Sequence, residues 1–515
     1  MTHRPSVSSV RTVLAIVTAV LVLVPATAAA GVATATSGFG QAGGASVQSV
    51  DTDVVQTVEF RLLPNATGRI GMTLHYEPGV NVTSLVTYGA GSRTLVDANG
   101  FEERQSGRWL WKGETQRPSL TFEVSVNRSG PTFRGLAWVD AGDWALARPQ
   151  TAFAYRNDST RWQYSWRDTD KVDRQTRLEN EGVVGSSMVY LGPHETTRAN
   201  VTGGSLRVVE PAAANASNTD RAVRSIRRAS SQLRVGARDS EVTVFVAPDP
   251  LRDGGLAVDD RSGRQDVWVS DRTPVAPPDN TWLHEYVHTR QSLQLGPGMR
   301  WFREASATYY AGLLSVRQGL DGRDGYQAFL GTLRDYESGR VILSDRSDWH
   351  SDYTPYSKGT RTLAALDARI RNDTDGNRTL QDVFRRMNRE DGTVTYDEFT
   401  GMVANISGSD HDEWLDDHVA GTAVVSVPTD PYVYAAPDPD SDADGDSLNT
   451  SQERAAGTHP FDADTDDDSL SDGRERALGT DPTEADTDAD GVPDGLELML
   501  GTDPTNGTGT GGIGH

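Results

Sequence analysis

The sequence predicts a multidomain α+β chain: a β-sandwich-like domain over 51–205, a mainly α domain over 206–427 opened by a small sheet, and an acidic repeat stalk over 438–515. Three observations predict it. Apolar residues alternate with period two from Val54 onward, recur at helical spacing from Ala222 onward, and give way to aspartates with a 22-residue period from Asp442 onward. At 515 residues the chain also exceeds what one hydrophobic core serves, so two or three domains are expected before any motif is read.

The first thirty residues carry Arg4 and Arg11, an apolar run from Val13 to Val24, Pro25, and the small residues Ala26, Thr27, Ala28, Ala29 and Ala30. That order is a secretory signal peptide over 1–30. The run is too short for a bilayer-spanning helix, which needs about 18 to 20 residues, so the expectation is a cleaved leader and a secreted or extracellular protein. Residues 31–50, rich in Gly, Ala, Ser and Thr, read as a flexible lead-in. The chain holds no cysteine, which excludes disulfides, thiolate metal sites and cysteine nucleophiles. Eleven Asn-x-Ser/Thr triplets from Asn65 to Asn506 fit an exported glycoprotein, although such triplets arise often by chance in a Ser/Thr-rich chain.

The net charge of -24 is concentrated: residues 438–515 hold 21 acidic and 3 basic side chains, a net of -18 that leaves only -6 for the rest. The tail therefore needs its own explanation. No segment carries the basic stripe that phosphate neutralisation requires, so nucleic acid is excluded as a partner.

Within 51–205, Val58, Phe60 and Leu62, and later Leu120, Phe122, Val124 and Val126, alternate between turn residues such as Pro64-Asn65 and Asn99-Gly100, the pattern of half-buried strands. Ala222, Ile226, Ala229 and Leu233 then share one helix face. Strands are expected at Glu241 to Val246 and Gln265 to Ser270, after which Pro277-Pro278-Asp279 ends extended structure and offers an N-cap. Helical patterns dominate from Thr281 to about Val427, and the Pro/Asp/Tyr-rich stretch 428–437 reads as a stiff linker.

The chemistry sits in Trp282-Leu283-His284-Glu285-Tyr286-Val287-His288. Residues four apart share a helix face, so His284 and His288 can reach one metal while Glu285 touches a water beside it. A catalytic zinc takes three protein ligands and leaves a position open, so a third ligand is required. Glu304 supplies it: it lies sixteen residues beyond His288, past the helix stop Gly296-Pro297-Gly298, flanked by Trp301, Phe302, Tyr309 and Tyr310, which argue for burial. Glu285 is then the base.

The tract H-E-Y-V-H followed by W-F-R-E-x-x-A-T-Y-Y resembles the gluzincin zinc metallopeptidases. The ordered matches Arg317-Gln318-Gly319-Leu320, Tyr356-Ser357-Lys358-Gly359, Leu366-Asp367-Ala368-Arg369-Ile370-Arg371, Thr379 to Arg385 and Asp412 to Thr422 narrow the resemblance to the glycyl aminopeptidase family. It covers roughly 51–427, most closely from 280 onward, and implies a β domain joined to a thermolysin-like, mainly α catalytic domain. It also implies that Tyr356 donates a hydrogen bond to the oxyanion of the tetrahedral intermediate. Tyr353, three residues earlier, competes for that role, and the alternative is that both are core aromatics. The chain departs from the family in Ala305, where the family has Gly, and in a short interval between His288 and Glu304. It departs more consequentially where the family's Gly-Gly-Leu-Glu becomes Gly254-Gly255-Leu256-Ala257, removing the acid that would hold a substrate amine and leaving Asp259 or Asp260 to substitute. The family's PDZ-like module is not apparent.

In the tail, Asp442, Asp444 and Asp446 are followed at the twelfth position by Glu453. The pattern returns as Asp464, Asp466, Asp468 and Glu475, and again as Asp486, Asp488, Asp490 and Glu497. Thr450, Asp472 and Asp494 occupy position nine, and each loop leads to a short helical turn closed by Gly-Thr-x-Pro. Side-chain oxygens at positions one, three, five and twelve suit calcium, about one ion per loop and three in all. The loops resemble thrombospondin type 3 and EF-hand-like modules. Gly491 provides the tight turn at position six of the third loop, where the others carry Ser447 and Ser469, so the third is expected to bind best.

Together these features predict a secreted zinc metallopeptidase acting on a peptide or protein substrate, aminopeptidase-like, with one Zn2+, about three Ca2+ and a tail suited to contact with a cell surface or extracellular matrix. An endopeptidase with the same site is the alternative within the enzyme class. A non-catalytic binding protein on the same scaffold is the alternative outside it.

Overall fold

A computed structural model of the chain describes residues 52–507 apart from 89–92, 106, 130–134, 149–150, 158–160, 166–168, 260–262, 335–339 and 437. The leader, the lead-in, Asp260 and Pro437 lie outside the described residues.

The alternating apolar residues form strands as their period requires. Val54–Leu62 buries Val54, Val58 and Phe60 on one side, pairs with Arg69–Pro78 antiparallel and with Val172–Leu178 parallel, and belongs to a five-stranded sheet completed by Ser119–Ser125 and Arg93–Asn99. A second five-stranded sheet centres on Ser84–Tyr88, and aromatic residues from both sheets, including Tyr76, Trp109, Phe122 and Phe153, meet in one core. A third sheet centres on Ala145–Ala147.

The fourth sheet decides the site. Its strands run in the order His194–Val201, Gly204–Pro211, Glu241–Ala247, Arg264–Ser270 and Gly255–Asp259, the last an antiparallel edge strand. A domain boundary at 205/206 would cut through the strand Gly204–Pro211 and separate it from its partner His194–Val201, so the expected boundary is corrected: the sheet begins at His194. Both of its faces are covered. Val244 and Val246 join the helical core, while Phe245, Ala247 and Trp268 join the core of the β region, so one sheet belongs to both hydrophobic clusters.

Helix Thr219–Gln232 buries Ala222, Ile226 and Ala229 as their spacing predicts. Helix Thr281–His288 is capped by Asn280, whose side chain accepts from the Leu283 N–H, rather than by Asp279. Helices Trp301–Val316, Gly322–Leu333, Thr360–Asp373, Leu380–Met387 and Tyr396–Ser407 follow, the last two opened by capping boxes at Thr379 and Thr395. Among the described residues no helix is long and apolar enough to cross a membrane.

The tail forms three short helices, Thr450–Ala456, Asp472–Leu478 and Asp494–Leu500, each closed by a left-handed glycine, Gly457, Gly479 and Gly501. The expectation of a separate stalk behind a linker is corrected at its near end. Tyr434 in the linker is 1% exposed, and its carbonyl accepts from Arg317 Nε. Phe461, between the first two loops, lies in the helical core against Tyr326, and Arg323 pairs with Asp462 at 3.2 Å. A side chain on Gly319 would collide with the carbonyl of Ala443, so the first loop rests directly on the end of helix Trp301–Val316. The physical reason is apolar: buried aromatic residues in and after the linker anchor the near repeat.

Candidate active site and cation loops

Helical periodicity brings the two histidines together. His284 and His288 lie one turn apart with Nε2 atoms separated by 3.1 Å, and helix Trp301–Val316 crosses beside them to place Glu304 Oε2 3.3 Å from the first and 3.2 Å from the second. An ion held tetrahedrally about 2.0–2.1 Å from each donor requires donor separations of about 3.3 Å, so His284, His288 and Glu304 fit zinc in type, number and spacing. Trp301, Phe302, Tyr309 and Tyr310 are all buried and fix the second helix in the core.

The surrounding hydrogen bonds orient the ligands. His288 Nδ1 meets Gln291 Oε1 at 2.9 Å, and the Gln291 amide donates to the Arg303 carbonyl and to Ser306 Oγ. His284 Nδ1 faces Thr308 Oγ1 at 3.4 Å. Burial opposes protonation of His288, but the Glu304 carboxylate outweighs it and lifts His288 to about 9, while the same pairing holds Glu304 far below the usual carboxylate range.

Glu285 is 6% exposed. Burial pushes its pKa up, against the pull of His288 and His284, and the Ala257 N–H donates to its carboxylate. The edge strand presses on it so closely that a Cβ on Gly255 would lie 2.5 Å from Glu285 Cγ.

Tyr356 sits in a π-helical turn, Pro355–Gly359. Its ring stacks on His284 with centroids 5.6 Å apart, its hydroxyl bonds to Glu304, and burial raises its pKa far above the ordinary value. Lys358, buried, donates to the carbonyls of Val341 and Gly421 and pins the turn. A Cβ on Gly359 would lie 2.8 Å from that of Ala305, so the turn packs directly on the residue after the third ligand. Tyr353 is 62% exposed, its ring 5.9 Å from that of Tyr356, on the open side of the cleft. The geometry thus favours Tyr356 over Tyr353.

The structure brings together all five residues singled out from the sequence here. Gln291 and Arg252 were missed. Gln291 lies one turn past His288, a spacing that signals contact, but Arg252 reaches the cleft from the lead-in to the edge strand, which no local pattern indicates.

In the tail, carboxylate oxygens converge within 4.8 Å in the sets Asp442, Asp444, Asp446; Asp464, Asp466, Asp468; and Asp486, Asp488, Asp490. Glu453 is 0% exposed and neither of its oxygens has a hydrogen-bond partner; Oε2 of Glu475 and of Glu497 is likewise buried without one. Such orphaned acceptors facing other carboxylates fit a hard cation. Ser447, Ser469 and Gly491 all adopt positive φ, 84°, 81° and 94°, which only glycine takes without strain. Position nine makes contacts of its own. Thr450 turns its hydroxyl to the Ser441 carbonyl, Asp472 and Asp494 accept from Thr465 and Thr487 in their own loops, and Asp494 also converges on Asp468 and Glu475 of the preceding repeat.

Neither the protein-family models nor the curated proteins give a match. Among solved structures, the chain is similar to an aminopeptidase N family protein from Idiomarina loihiensis at 13% identity and TM-score 0.49, covering 72% of this chain and 77% of that one. It is also similar to an M1 zinc metallopeptidase from Deinococcus radiodurans at 16% identity and TM-score 0.45, covering 73% of this chain and 94% of that one. At such scores the likeness carries no functional argument, which rests on the site itself.

Proposed function

We propose that this protein is an exported zinc metallopeptidase in which His284, His288 and Glu304 hold the metal. The observation that carries the reading is the convergence of these three donors beside a buried Glu285 and a Tyr356 hydroxyl. Zinc bound there supplies Lewis acidity to a water and to the scissile carbonyl. Glu285 takes the proton from that water as it attacks and delivers it to the leaving amine. Its raised pKa suits both halves of the task. Tyr356 donates a hydrogen bond to the oxygen on which negative charge develops. Gln291 accepts the Nδ1 proton of His288 and so leaves Nε2 free to ligate.

The cleft over this site is bounded on one side by the edge strand Gly255–Asp259, where the Ala257 N–H donates to Glu285 and the Gly255 carbonyl accepts from Arg252. Aminopeptidase-like action is the reading carried from the sequence; Ala257, where an amine-binding acid is expected, favours a looser demand for a free N-terminus and keeps the endopeptidase reading alongside it. Export rests on the apolar run Val13 to Val24. We also propose that the tail loops bind about three calcium ions, supported by the orphaned oxygens of Glu453, Glu475 and Glu497, and that the acidic far repeats meet a cell surface or matrix.

The test is direct. Purified protein should contain one zinc and hydrolyse peptides, His284→Ala, His288→Ala and Glu304→Ala should each lower the zinc content, and Glu285→Gln should keep the metal while losing nearly all turnover. Normal peptide cleavage by Glu285→Gln would sink the mechanism.

A further inference from the structure

Successive repeats of the tail meet in the same way twice. The Gly473 N–H donates to Asp446 Oδ2 at 2.9 Å, and the Gly495 N–H donates to Asp468 Oδ2 at 2.7 Å, so the Asp-Gly pair of one repeat docks on position five of the repeat before it. A Cβ on either glycine would collide with the main-chain carbonyl of the same aspartate, so glycine is what lets the two backbones approach. Asp490 Oδ2, the counterpart in the third repeat, is buried with no hydrogen-bond partner among the described residues. The contact belongs to a pair of repeats and not to a single loop.

Docking carries a side chain across the junction. Asp494, which precedes Gly495, brings its carboxylate together with those of Asp468 and Glu475, with oxygens all within 4.8 Å of one another. The three residues are 0%, 8% and 0% exposed in that order. Asp468 is shared by two groups, because Asp464 and Asp466 of its own loop converge on it as well. Asp494 accepts from the Thr487 N–H and from Thr487 Oγ1, which hold it in place, while Glu475 Oε2 is buried with no hydrogen-bond partner. Among the described residues no lysine, arginine or histidine forms an ion pair with any of the three. Of the basic side chains in the tail, Arg454 lies over the ring of Tyr432, Arg476 donates to the Gln452 carbonyl and Arg474 is exposed. At the first junction Glu453, 0% exposed with both oxygens unpartnered, takes the place of Glu475 and interacts electrostatically with Asp446 and Asp472. Carboxylates packed out of water without a counter-charge repel one another and lack solvation, and a cation answers both. A donor set made only of oxygen selects a hard divalent ion.

We propose that a calcium ion binds at the junction of the second and third repeats, held by Asp468 and Glu475 from one and Asp494 from the other, in addition to the ions of the loops. The inference extends the calcium reading of the tail from single loops to the stack. Such an ion fastens neighbours together, so a pair of repeats is the binding unit.

The experiment uses the full chain, stripped of calcium by a chelator that leaves zinc in place, and counts bound calcium by equilibrium dialysis. The unaltered chain should bind more calcium than one ion per loop. Glu475→Gln keeps the Thr480 contact at Oε1 and breaks no hydrogen bond at Oε2. Asp494→Asn lies in the next repeat, yet each variant should weaken the junction ion about tenfold or more, as loss of a charged ligand implies. The double variant should lose no further ion than Glu475→Gln alone. Asp486→Ala disables the third loop, and in that background Asp494→Asn should still remove an ion. A folding defect is told apart by sign. At pH 8 in chelator each charge-removing variant should make the repeats more resistant to protease, because repulsion is relieved, and in calcium less resistant. Lower resistance in both conditions marks a structural role and overturns the proposal. Losses that add in the double variant, or an Asp494→Asn effect that vanishes beside Asp486→Ala, confine Asp494 to its own loop and overturn it as well. One ion per loop, unchanged in Asp494→Asn, rejects the junction alone, whereas no calcium binding at all rejects the loop reading with it.

Discussion

His288 Nδ1 lies 2.9 Å from Gln291 Oε1, so a side chain one turn beyond the metal-binding pair fixes which imidazole nitrogen faces the metal. Gln291 is itself held by Arg303 and Ser306 from the helix that carries Glu304. Gln291→Ala should therefore lower zinc affinity about 10- to 100-fold without removing a ligand, measured by competition with a chelator. Unchanged affinity would reduce the contact to packing.

Tyr356→Phe should lower kcat by about 100- to 1000-fold with little change in KM, because the hydroxyl acts on charge that develops only in the transition state. Tyr353→Phe, altering an exposed ring, should do far less. A reversed order of effects would move the role to Tyr353.

Gly255→Ala should retain zinc yet lose about 100-fold in kcat, since a Cβ placed 2.5 Å from Glu285 Cγ must displace the base. Steady-state kinetics alongside metal analysis reads both quantities, and full activity would show that the strand can retreat at no cost.

Asp367 is buried and accepts from Tyr309 Oη at 2.8 Å, from the Leu380 N–H at 2.7 Å and from Arg371 Nε at 3.0 Å. Burial alone would raise its pKa, but Arg371 and these donors outweigh it and hold the carboxyl below its usual range. A depressed carboxylate stabilises the fold above its unfolded pKa and loses that contribution as pH falls through the folded value. Asp367→Ala strands a buried guanidinium and should cost about 3–5 kcal/mol at neutral pH, with the deficit shrinking in acid, as denaturant titration would show.

The tail titrates in the opposite sense. Burial, then neighbouring carboxylates, lifts Asp444 to about 7 and Glu453 and Glu475 to about 8. Acids raised in the folded state bind more protons than the unfolded chain, so in chelator the repeats should be most resistant to protease near pH 5 and lose that resistance by pH 8. Calcium should restore it at pH 8. Resistance that rises with pH in chelator would contradict this account.

The sequence by itself determined whatever depends on one element. Period-two alternation made Val58 and Phe60 inward strand residues, the spacing of four put His284 and His288 on one helix face, and the repeated Asp-x-Asp-x-Asp with its closing glycines defined three loops. Glu304 was legible because a zinc site lacking a third ligand sends the reader to the next buried helix. What depends on contacts between elements was decided only in three dimensions. The boundary expected at 205 failed because strand partners are chosen across the chain, and hairpin His194–Pro211 completes a sheet shared by two cores. The stalk docks at its near end because Tyr434 and Phe461 find apolar neighbours far away in sequence. Asp494 converges on Asp468 and Glu475 because successive repeats stack, and Arg252 reaches Glu285 because an edge strand is laid across a helix. Backbone periodicity is local and can be read from the residues that produce it; the burial that joins distant elements depends on which surfaces meet.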